Sequence, residues 1–280
     1  MTASGLIGAA ARRLAAFPNP RLDAELLFRG VTGWSRADLL ARADEPLAGG
    51  VAAAFEGAVA RRERHEPIQY ILGRASFWRD EFAVTPDVLI PRPDTEILVE
   101  AVASRLGAVT TPLVLDIGTG SGCIALSLLR ELPGARAVAL DVSRPALEVA
   151  MRNARALGLE ARVDLRLSRW LSAIGPEEVF DAVVSNPPYV PRQDEAGLAL
   201  EVKAFEPQLA LFAEAADDLS SYRAILSGIG SSLRPPGLLA FEVGLGQADR
   251  VAELIGEAGY KSVETLNDLA SIPRVVLGRR

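Results

Sequence analysis

The strongest constraint on the fold is a regular alternation of strand and helix patterns that begins after Pro112. Short apolar runs predict parallel strands at Leu113–Ile117, Ala137–Asp141, Val163–Leu167 and Phe180–Ser185, with helices between the earlier pairs. Later runs predict strands at Gly237–Val243, Ser262–Leu266 and Arg274–Leu277, the last two as an antiparallel edge. The predicted fold class is therefore α/β, with a doubly wound, mostly parallel sheet that carries helices on both faces.

The part of the chain before this alternation has a helical pattern with short loops. Asn19 before Pro20, and Ser35 followed by Asp38, have the spacing of helix starts. We predict four or five helices in a small N-terminal domain over residues 1–74. A looser alternation over residues 75–90 predicts a β-hairpin connector, and residues 91–280 then form the sheet domain.

The composition excludes several classes of protein. A single cysteine, Cys123, and a single histidine, His65, allow no internal disulfide and no structural zinc site, and we predict no metal. His65 lies in a charged run, which disfavours a hydrolase built on a histidine base. The formal net charge of −6 gives no support for generic nucleic-acid binding, so we expect no direct nucleic-acid partner.

Targeting signals are also weak. The longest stretch without a charged residue is 13 residues, from Ile117 to Leu129, which is too short to span a membrane. The alanine-rich segment from Met1 to Phe17 lacks an apolar core with a cleavage site, so we interpret it as a first helix rather than an organelle transit peptide. We expect a monomeric cytoplasmic protein with no membrane partner.

A glycine-rich turn follows the first parallel strand, with the sequence Gly118-Thr119-Gly120-Ser121-Gly122. Glycine permits positive φ and lets a bulky nucleoside approach the backbone closely. Cys123 stands where a dinucleotide fingerprint has its third glycine, which disfavours a pyrophosphate site. A plain tight turn would explain one glycine but not three at alternate positions. We therefore predict a nucleoside crevice here.

Two further residues follow the next strands of the predicted sheet. Asp141 lies nineteen residues beyond Gly122, where its carboxylate can accept hydrogen bonds from both ribose hydroxyls. The alternative is that Asp141 only caps the helix that begins near Ser143. Trp170, after the third strand, can form a wall for an adenine ring or can belong to the core.

The segment Asn186-Pro187-Pro188-Tyr189 follows the fourth strand. Two prolines cannot continue the strand, so the backbone turns rigidly and leaves carbonyl groups free. The Asn186 side-chain oxygen and the Pro187 carbonyl can accept both hydrogens of a planar NH₂ group, while the Tyr189 ring packs on its flat face. A rigid turn alone explains the prolines but not the asparagine and the aromatic ring. We interpret the segment as a seat for an amide or an arylamine.

A nucleoside crevice beside an NH₂ seat indicates group transfer from an adenosine cofactor to nitrogen, with S-adenosylmethionine as the cofactor. Accepting both hydrogens favours pyramidalisation of an amide nitrogen and aims its lone pair at the sulfonium methyl group. The motif contains no obvious base and the reaction needs no strong one. An adenine-N6 DNA or RNA amine methyltransferase could use the same seat, and a nicotinamide dehydrogenase could use the crevice.

Five segments carry a resemblance to a known family. They are Pro67–Gly73, Leu89–Glu96, Leu115–Ala125, Asn186–Val190 and Glu206-Pro207. Together they resemble the PrmC/HemK protein glutamine N5-methyltransferases over nearly the whole chain. The Asn-Pro-Pro-Tyr box is shared with adenine-N6 DNA methyltransferases, whereas Pro-Arg-Pro-Asp-Thr-Glu joined to a helical N-terminal domain is much more specific.

This resemblance implies a Rossmann-like methyltransferase sheet and methylation of the glutamine in the Gly-Gly-Gln loop of class-1 peptide-chain release factors, with the helical domain gripping the release factor. It implies that the cofactor contacts Gly118, Thr119, Gly120, Ser121, Gly122, Asp141, Trp170 and Asn186. It also implies that Asn186, Pro187, Pro188 and Tyr189 hold the substrate, with Asn186, Pro187 and Tyr189 as the catalytic residues. A non-catalytic adapter for a translation factor is the alternative from another class.

The chain departs from the family pattern at two places. Arg169 stands before Trp170 where the family usually has an acid, and Ala215–Leu219 replaces a usual glycine-rich segment. Neither position belongs to the amide seat. The first departure bears on the placement of Trp170, and the second on a peripheral loop.

Overall fold

The computed structural model of the protein describes residues 1–214 and 217–280. The chain divides into two compact units. The helical unit comprises Met1–Arg74 and Ala199–Phe205, and the sheet unit comprises Ala75–Leu198 and Glu206–Arg280. Within the described residues, no helix has the length and apolar composition needed to cross a membrane.

The helical unit is built from five N-terminal helices and one short helix from later in the chain. These are α1 (Ala3–Arg13), α2 (Pro20–Thr32), α3 (Arg36–Arg42), α4 (Val51–Glu63), α5 (Ile68–Leu72) and α9 (Leu200–Phe205). The capping box at Ser35 and Asp38 is confirmed, but Asn19 makes no side-chain capping hydrogen bond before α2. The core includes Phe28 and Phe55, whose rings meet edge to face at 5.5 Å.

A buried arginine connects α9 to the helices that precede it. Arg62 is only 5% exposed, and its guanidinium lies 4.1 Å from the centre of the Phe17 ring. It donates to Asp23 at 2.8 Å and to Glu201 of α9 at 2.7 Å. Two carboxylates therefore compensate the charge that this burial takes out of water.

The predicted hairpin is shorter than expected. Strands β1 (Arg74–Phe77) and β2 (Asp80–Ala83) form a two-stranded sheet, and no strand continues from Val84 to the predicted end at Ile90. Prolines 86 and 91 lack an amide donor, so this stretch cannot extend a ladder. The side chain of Asn153 instead forms hydrogen bonds with the backbone of Ala83, accepting from its N–H at 2.7 Å and donating to its carbonyl at 3.0 Å.

The sheet unit confirms the predicted α/β class. Its seven strands are ordered β5-β4-β3-β6-β7-β9-β8, and they are β3 (Leu113–Ile117), β4 (Arg136–Asp141), β5 (Val163–Leu167), β6 (Phe180–Ser185), β7 (Leu233–Glu242), β8 (Lys261–Asn267) and β9 (Pro273–Arg279). Strands β3 to β7 pair in parallel, and β9 pairs antiparallel with both β7 and β8. The helices of the unit are α6 (Glu96–Leu106), α7 (Cys123–Glu131), α8 (Arg144–Ala156), α10 (Gln208–Leu211), α11 (Ser220–Ile229) and α12 (Ala248–Glu257).

The central strands β3, β4 and β6 are buried on both faces, which explains why they are almost continuously apolar, whereas the edge strand β8 is mostly exposed. Neighbouring residues Val114 and Leu115 of β3 point into two different hydrophobic clusters. The first cluster contains apolar residues of α6 and α7, and the second contains those of α11 and α12. The strand order reverses between β3 and β6, so a ligand crevice is expected at the carboxyl ends of these two strands.

Strand β7 begins at Leu233 rather than at the predicted Gly237. The start of β7 was not predicted because Pro235 and Pro236 lie within it, and prolines normally disfavour a strand. The ladder to β6 shifts register here, from Phe180 opposite Leu233 to Ala182 opposite Leu238. The irregular pairing thus accommodates two residues that cannot donate to it.

Candidate functional site

A cavity lies at the carboxyl ends of β3, β4 and β6, at the expected point of strand reversal. Eight of the predicted site residues line it, namely Gly118, Thr119, Gly120, Ser121, Asp141, Trp170, Asn186 and Pro188. Gly122, Pro187 and Tyr189 lie outside its wall. The topology therefore brings together residues that are distant in sequence, while three of the predicted residues are adjacent to the cavity wall in sequence but not part of it.

The glycine turn has two different uses for glycine. Gly118 and Gly120 have φ of 76° and 56°, and a β-carbon on either would meet no atom within 4 Å. Their open sides belong to the cavity wall, so the backbone is accessible to a ligand. At Gly122, by contrast, a β-carbon would lie 3.1 Å from Leu126 and 3.3 Å from Ala150. This third glycine permits close packing of α7 and α8 behind the turn.

A buried acid is hydrogen-bonded to the glycine-rich turn. Asp116 of β3 is fully buried and accepts a hydrogen bond from Thr119 Oγ1 at 2.7 Å. Burial raises the pKa of its carboxyl to about 7. Sequence reasoning missed this residue, although a lone aspartate in the run Leu-Val-Leu-Asp-Ile is a recognisable signal.

Asp141 holds the turn and also faces the cavity. Its carboxylate accepts from Gly120 N at 2.8 Å and from Ser143 N at 2.9 Å. The side chain of Ser143 itself caps α8 by accepting from Ala146 N at 3.3 Å. Capping is therefore not left to Asp141 alone, and its carboxylate remains part of the cavity wall. Burial raises the pKa of Asp141, opposed by its backbone hydrogen bonds.

Trp170 is placed where either of the two roles considered for it is possible, and its contact with adenine stays a prediction. It lines the cavity and also packs against the second hydrophobic cluster. Its backbone is held at φ 51°, where Ser168 Oγ donates to the Trp170 carbonyl at 2.8 Å. The neighbouring Arg169 pairs with Glu214 at 2.7 Å, and both residues belong to the cavity wall. An acid is therefore present at this rim, contributed by another segment.

The Asn-Pro-Pro-Tyr segment is fixed by hydrogen bonds to its backbone. Ser221 Oγ donates to the Pro188 carbonyl at 2.7 Å, and Gln247 Nε2 donates to the Tyr189 carbonyl at 3.1 Å. Not all of its carbonyls are free, contrary to the sequence expectation. Among the described residues, no hydrogen bond reaches the Pro187 carbonyl. No hydrogen bond within the described part of the chain therefore competes for this carbonyl, and its pairing with Asn186 Oδ1 as acceptors stays a prediction.

The ring of Tyr189 is packed against the backbone after β7. A β-carbon on Gly244 would lie 2.9 Å from Tyr189 Cδ2, so only glycine permits this contact. Burial raises the pKa of the phenol to about 12, helped by the negative charge of Glu242. The hydroxyl therefore stays protonated at neutral pH.

Two motifs of the family resemblance meet at the cavity. Arg92 donates to Glu206 at 2.6 Å, and Ile90 N donates to the other oxygen of the same carboxylate at 3.3 Å. Glu206 is 5% exposed, whereas Arg92 and Pro207 line the cavity. The ion pair thus connects the wall segment that contains Arg92 to the one that contains Pro207. The sequence analysis did not predict this ion pair.

Glu242 and Thr95 are two further residues near the predicted site that sequence reasoning missed. Thr95 lines the cavity and accepts from Asn186 Nδ2 at 3.3 Å. Glu242, the last residue of β7, is 3% exposed, and burial raises its pKa to about 7. Within residues 1–214 and 217–280, no cluster of histidine, cysteine or acidic side chains could hold a metal ion.

The segment Ala215–Leu219 is described only in part. Ala215 and Ala216 lie outside the described residues. Asp217 pairs with Arg223 at 3.1 Å, and Asp218 pairs with Arg250 at 2.7 Å. Asp218 also accepts from Gln247 Nε2 at 2.9 Å, which connects this segment to the side chain that holds Tyr189.

Comparison with known proteins gives matches along most of the chain. The model of the PrmC N-terminal domain matches residues 6–73, and that of the methyltransferase small domain matches residues 93–220. A release factor glutamine methyltransferase of Burkholderia pseudomallei is 46% identical over 274 residues, covering 96% of this chain and 95% of the relative. One of Moorella thermoacetica is 44% identical over 283 residues, covering 100% and 99%.

Solved structures agree on the fold. A Thermus thermophilus 16S rRNA methyltransferase in complex with AdoMet and guanosine has a TM-score of 0.54 and 22% identity, covering 74% of this chain and 49% of that one. The hMettl16 catalytic domain in complex with a 3′UTR hairpin has a TM-score of 0.58 and 18% identity, covering 81% of both chains. At these identities the likeness shows a methyltransferase-type fold.

Proposed function

Because the chain belongs to the family of release factor glutamine methyltransferases, we propose that it methylates N5 of a glutamine side chain in class-1 peptide-chain release factors. The acceptor is the glutamine of the Gly-Gly-Gln loop, and S-adenosylmethionine is the methyl donor. The observation that carries the proposal is the position of Asn186, which lines the cavity at the carboxyl end of β6, beside the glycine turn that follows β3.

The residues of the cavity fit S-adenosylmethionine. The open faces of Gly118 and Gly120 form a cradle that a β-carbon would fill, and the Asp141 carboxylate offers acceptors for ribose hydroxyls. Trp170 offers an apolar wall for the adenine ring. When bound, this group supplies an electrophilic methyl group on a sulfonium.

The chain then has to hold a weakly nucleophilic amide nitrogen in the right orientation. Asn186 Oδ1 and the Pro187 carbonyl accept the two hydrogens of the substrate NH₂ group, which turns its lone pair toward the methyl group. Ser221 and Gln247 fix the backbone of the segment, so this pair of acceptors needs little reorganisation. The substrate nitrogen gains the methyl group and releases one proton to water.

Tyr189 completes the seat as a fixed aromatic surface. Its ring is held against Gly244, and its hydroxyl remains protonated because burial raises its pKa to about 12. We assign it to packing against the substrate amide rather than to proton transfer. The helical unit, which matches the PrmC N-terminal domain, is proposed to bind the body of the release factor.

Methyl transfer can be tested directly. The purified chain is incubated with S-adenosylmethionine labelled in the methyl group and a bacterial class-1 release factor, and the label is located by mass spectrometry. The expected result is one methyl group on the Gly-Gly-Gln glutamine, and none on a release factor in which that glutamine is alanine. Duplex DNA and RNA are offered in parallel. Transfer to nucleic acid with none to the release factor would overturn the proposal.

A further inference from the structure

The residue beside Asn186 in the sheet is a buried carboxylate. Strands β6 and β7 run in parallel with Ser185 opposite Phe241, so the next residues, Asn186 and Glu242, lie side by side at the carboxyl ends. Glu242 is 3% exposed, and its Oε2 has no hydrogen-bond partner among the described residues. A buried carboxylate with an incomplete set of partners is costly, so its presence at this position calls for a role.

The orientation of the Asn186 amide decides whether the substrate seat works. Only the side-chain oxygen can accept from the substrate NH₂ group, whereas the side-chain nitrogen would oppose it. Asn186 Nδ2 lies 3.3 Å from Thr95 Oγ1, but a hydroxyl can donate or accept and so does not fix the amide. An ionised carboxylate only accepts, and Glu242 is the neighbour of Asn186 on the adjacent strand. The side chains of Thr95 and Asn186 favour its charged form.

We propose that Glu242 is a positioning residue for methyl transfer: its carboxylate holds the amide nitrogen of Asn186, so that Asn186 Oδ1 is presented to the substrate NH₂ group. The inference rests on the proposed function. Glu242 lies outside the cavity wall, so it acts through Asn186 and does not touch the substrate. Thr95 Oγ1 can accept from the same nitrogen, so it is compatible with the orientation that Glu242 sets but does not determine it.

The charge state of Glu242 gives this role a distinctive pH dependence. Burial raises its pKa to about 7, and the charge of Asp94, in the 3₁₀ turn Pro93–Thr95, acts in the same direction. Thr95, Asn186 and Arg274 of β9 oppose the shift by favouring the charged form.

The other titratable groups near Glu242 are the Cys123 thiol, whose pKa is about 12, and two phenols. The side chain of Tyr189 has a pKa of about 12, and Tyr222 of α11 donates to the Glu242 backbone carbonyl at 3.0 Å. Above neutral pH the ionised carboxylate accepts from the Asn186 amide nitrogen. A protonated carboxyl can instead donate to Asn186 Oδ1 and draw that oxygen away from the substrate.

The test compares Glu242→Gln and Glu242→Ala with wild type. We measure kcat and KM for the release factor and the Kd for S-adenosylmethionine from about pH 6 to about pH 9, a range that brackets the titration. Glu242→Ala should lower kcat about 100-fold, the effect of misplacing a reacting group by about 1 Å. Glu242→Gln keeps the shape and one acceptor oxygen, so a loss of about tenfold is expected. The fall of kcat toward acid pH should disappear in Glu242→Gln, and the Kd should change by less than about twofold in both variants.

Asp116→Asn is the matched control, because Asp116 is also a buried carboxyl with a pKa of about 7 but bonds to the cofactor turn. This variant should raise the Kd for S-adenosylmethionine and keep the acid fall of kcat. If Glu242→Ala does not fold, the isosteric Glu242→Gln decides. An active wild type with unchanged kcat in Glu242→Gln, or with the acid fall retained, would overturn the inference. Failure of wild type to methylate the release factor would instead overturn the proposed function.

Discussion

At the scale of single residues, a substitution of Asp141 tests cofactor binding separately from the methyl-transfer step. It is held by Gly120 N and Ser143 N and lines the cavity. Asp141→Asn removes its charge and its capacity to accept from both ribose hydroxyls. We expect the Kd for S-adenosylmethionine to rise about 30-fold, equivalent to about 2 kcal/mol, by isothermal titration calorimetry. At saturating cofactor, kcat should stay close to that of wild type.

The control for this variant is Asp164→Asn on the adjacent strand β5. Asp164 is an exposed carboxylate that pairs with Arg166 and does not line the cavity. The Kd should therefore be unaffected by this substitution. Equal affinities of wild type and Asp141→Asn for S-adenosylmethionine would show that Asp141 does not bind the ribose.

Asn186 should show the opposite pattern. Asn186→Ala removes the side-chain acceptor for the substrate NH₂ group, and we expect kcat to fall about 1,000-fold, as for loss of a preorganised polar contact to the reacting group. Affinity for S-adenosylmethionine should change by less than about threefold, because the glycine turn and Asp141 are intact. Asn267→Ala, at an exposed position of β8, serves as the control. Near wild-type turnover in Asn186→Ala would refute the catalytic assignment.

The sequence identifies these two residues but not the buried acids behind them. Asp141 and Asn186 follow recognisable strands, so the carboxyl-end rule places them in one crevice. Glu242 ends a strand whose partner register is invisible in a single sequence, and only the pairing of Ser185 with Phe241 places it beside Asn186. Its charge in an apolar run was a signal that could have been used.

At the scale of secondary-structure elements, Asn153 connects the hairpin to the cofactor turn. This residue of α8 is 2% exposed, binds both backbone groups of Ala83, and donates to the Ser121 carbonyl at 2.8 Å. Asn153→Ala leaves three backbone polar groups without this partner. We expect a loss of about 3 kcal/mol in the free energy of unfolding, measured by urea denaturation. Affinity for S-adenosylmethionine should weaken as well, because Ser121 lines the cavity.

The control is Arg152→Ala, at the exposed neighbouring position of the same helix. Arginine and alanine have similar helix propensities, and Arg152 takes no part in the hydrogen bonds that Asn153 makes to Ala83 and Ser121. The free energy of unfolding of Arg152→Ala should therefore lie within about 0.5 kcal/mol of wild type. If Asn153→Ala is as stable as Arg152→Ala and binds the cofactor equally well, the hairpin and the turn are not coupled through this side chain.

Elements were predictable where periodicity and turn chemistry agree. Strands β3, β5 and β6 begin and end as the apolar runs predict, and the antiparallel pair of β8 and β9 is confirmed. The hairpin and β7 were not predicted to their true ends. In the hairpin a side chain, Asn153, replaces a strand partner, and in β7 two prolines are accommodated by a shift of register. Both depend on tertiary contacts that local sequence does not encode.

At the scale of the whole molecule, two buried acids make stability depend on pH. Asp116 and Glu242 have pKa values raised to about 7 by burial. Each therefore binds its proton more tightly in the folded state than in the unfolded chain. The resulting stabilisation is fully present below the unfolded pKa of about 4 and is lost as the pH rises through about 7. Glu178, whose pKa Arg166 lowers to about 2, contributes in the opposite direction and in a more acidic window.

The free energy of unfolding of wild type should consequently decrease between about pH 5 and about pH 8, by on the order of 3 kcal/mol for each acid, since one pKa unit corresponds to about 1.4 kcal/mol. Urea denaturation followed by circular dichroism measures this slope. Asp116→Asn and Glu242→Gln replace an ionisable group by a neutral one of the same shape, so each should flatten the slope, and the double variant should nearly abolish it. Glu178→Gln should leave this slope unchanged, because the Glu178 contribution is constant above about pH 4.5 and varies with pH only below it. A wild-type stability that is constant across this range would mean that neither acid is held in its neutral form by the fold. The positioning role of Glu242 would then have to operate without a change of charge near neutral pH.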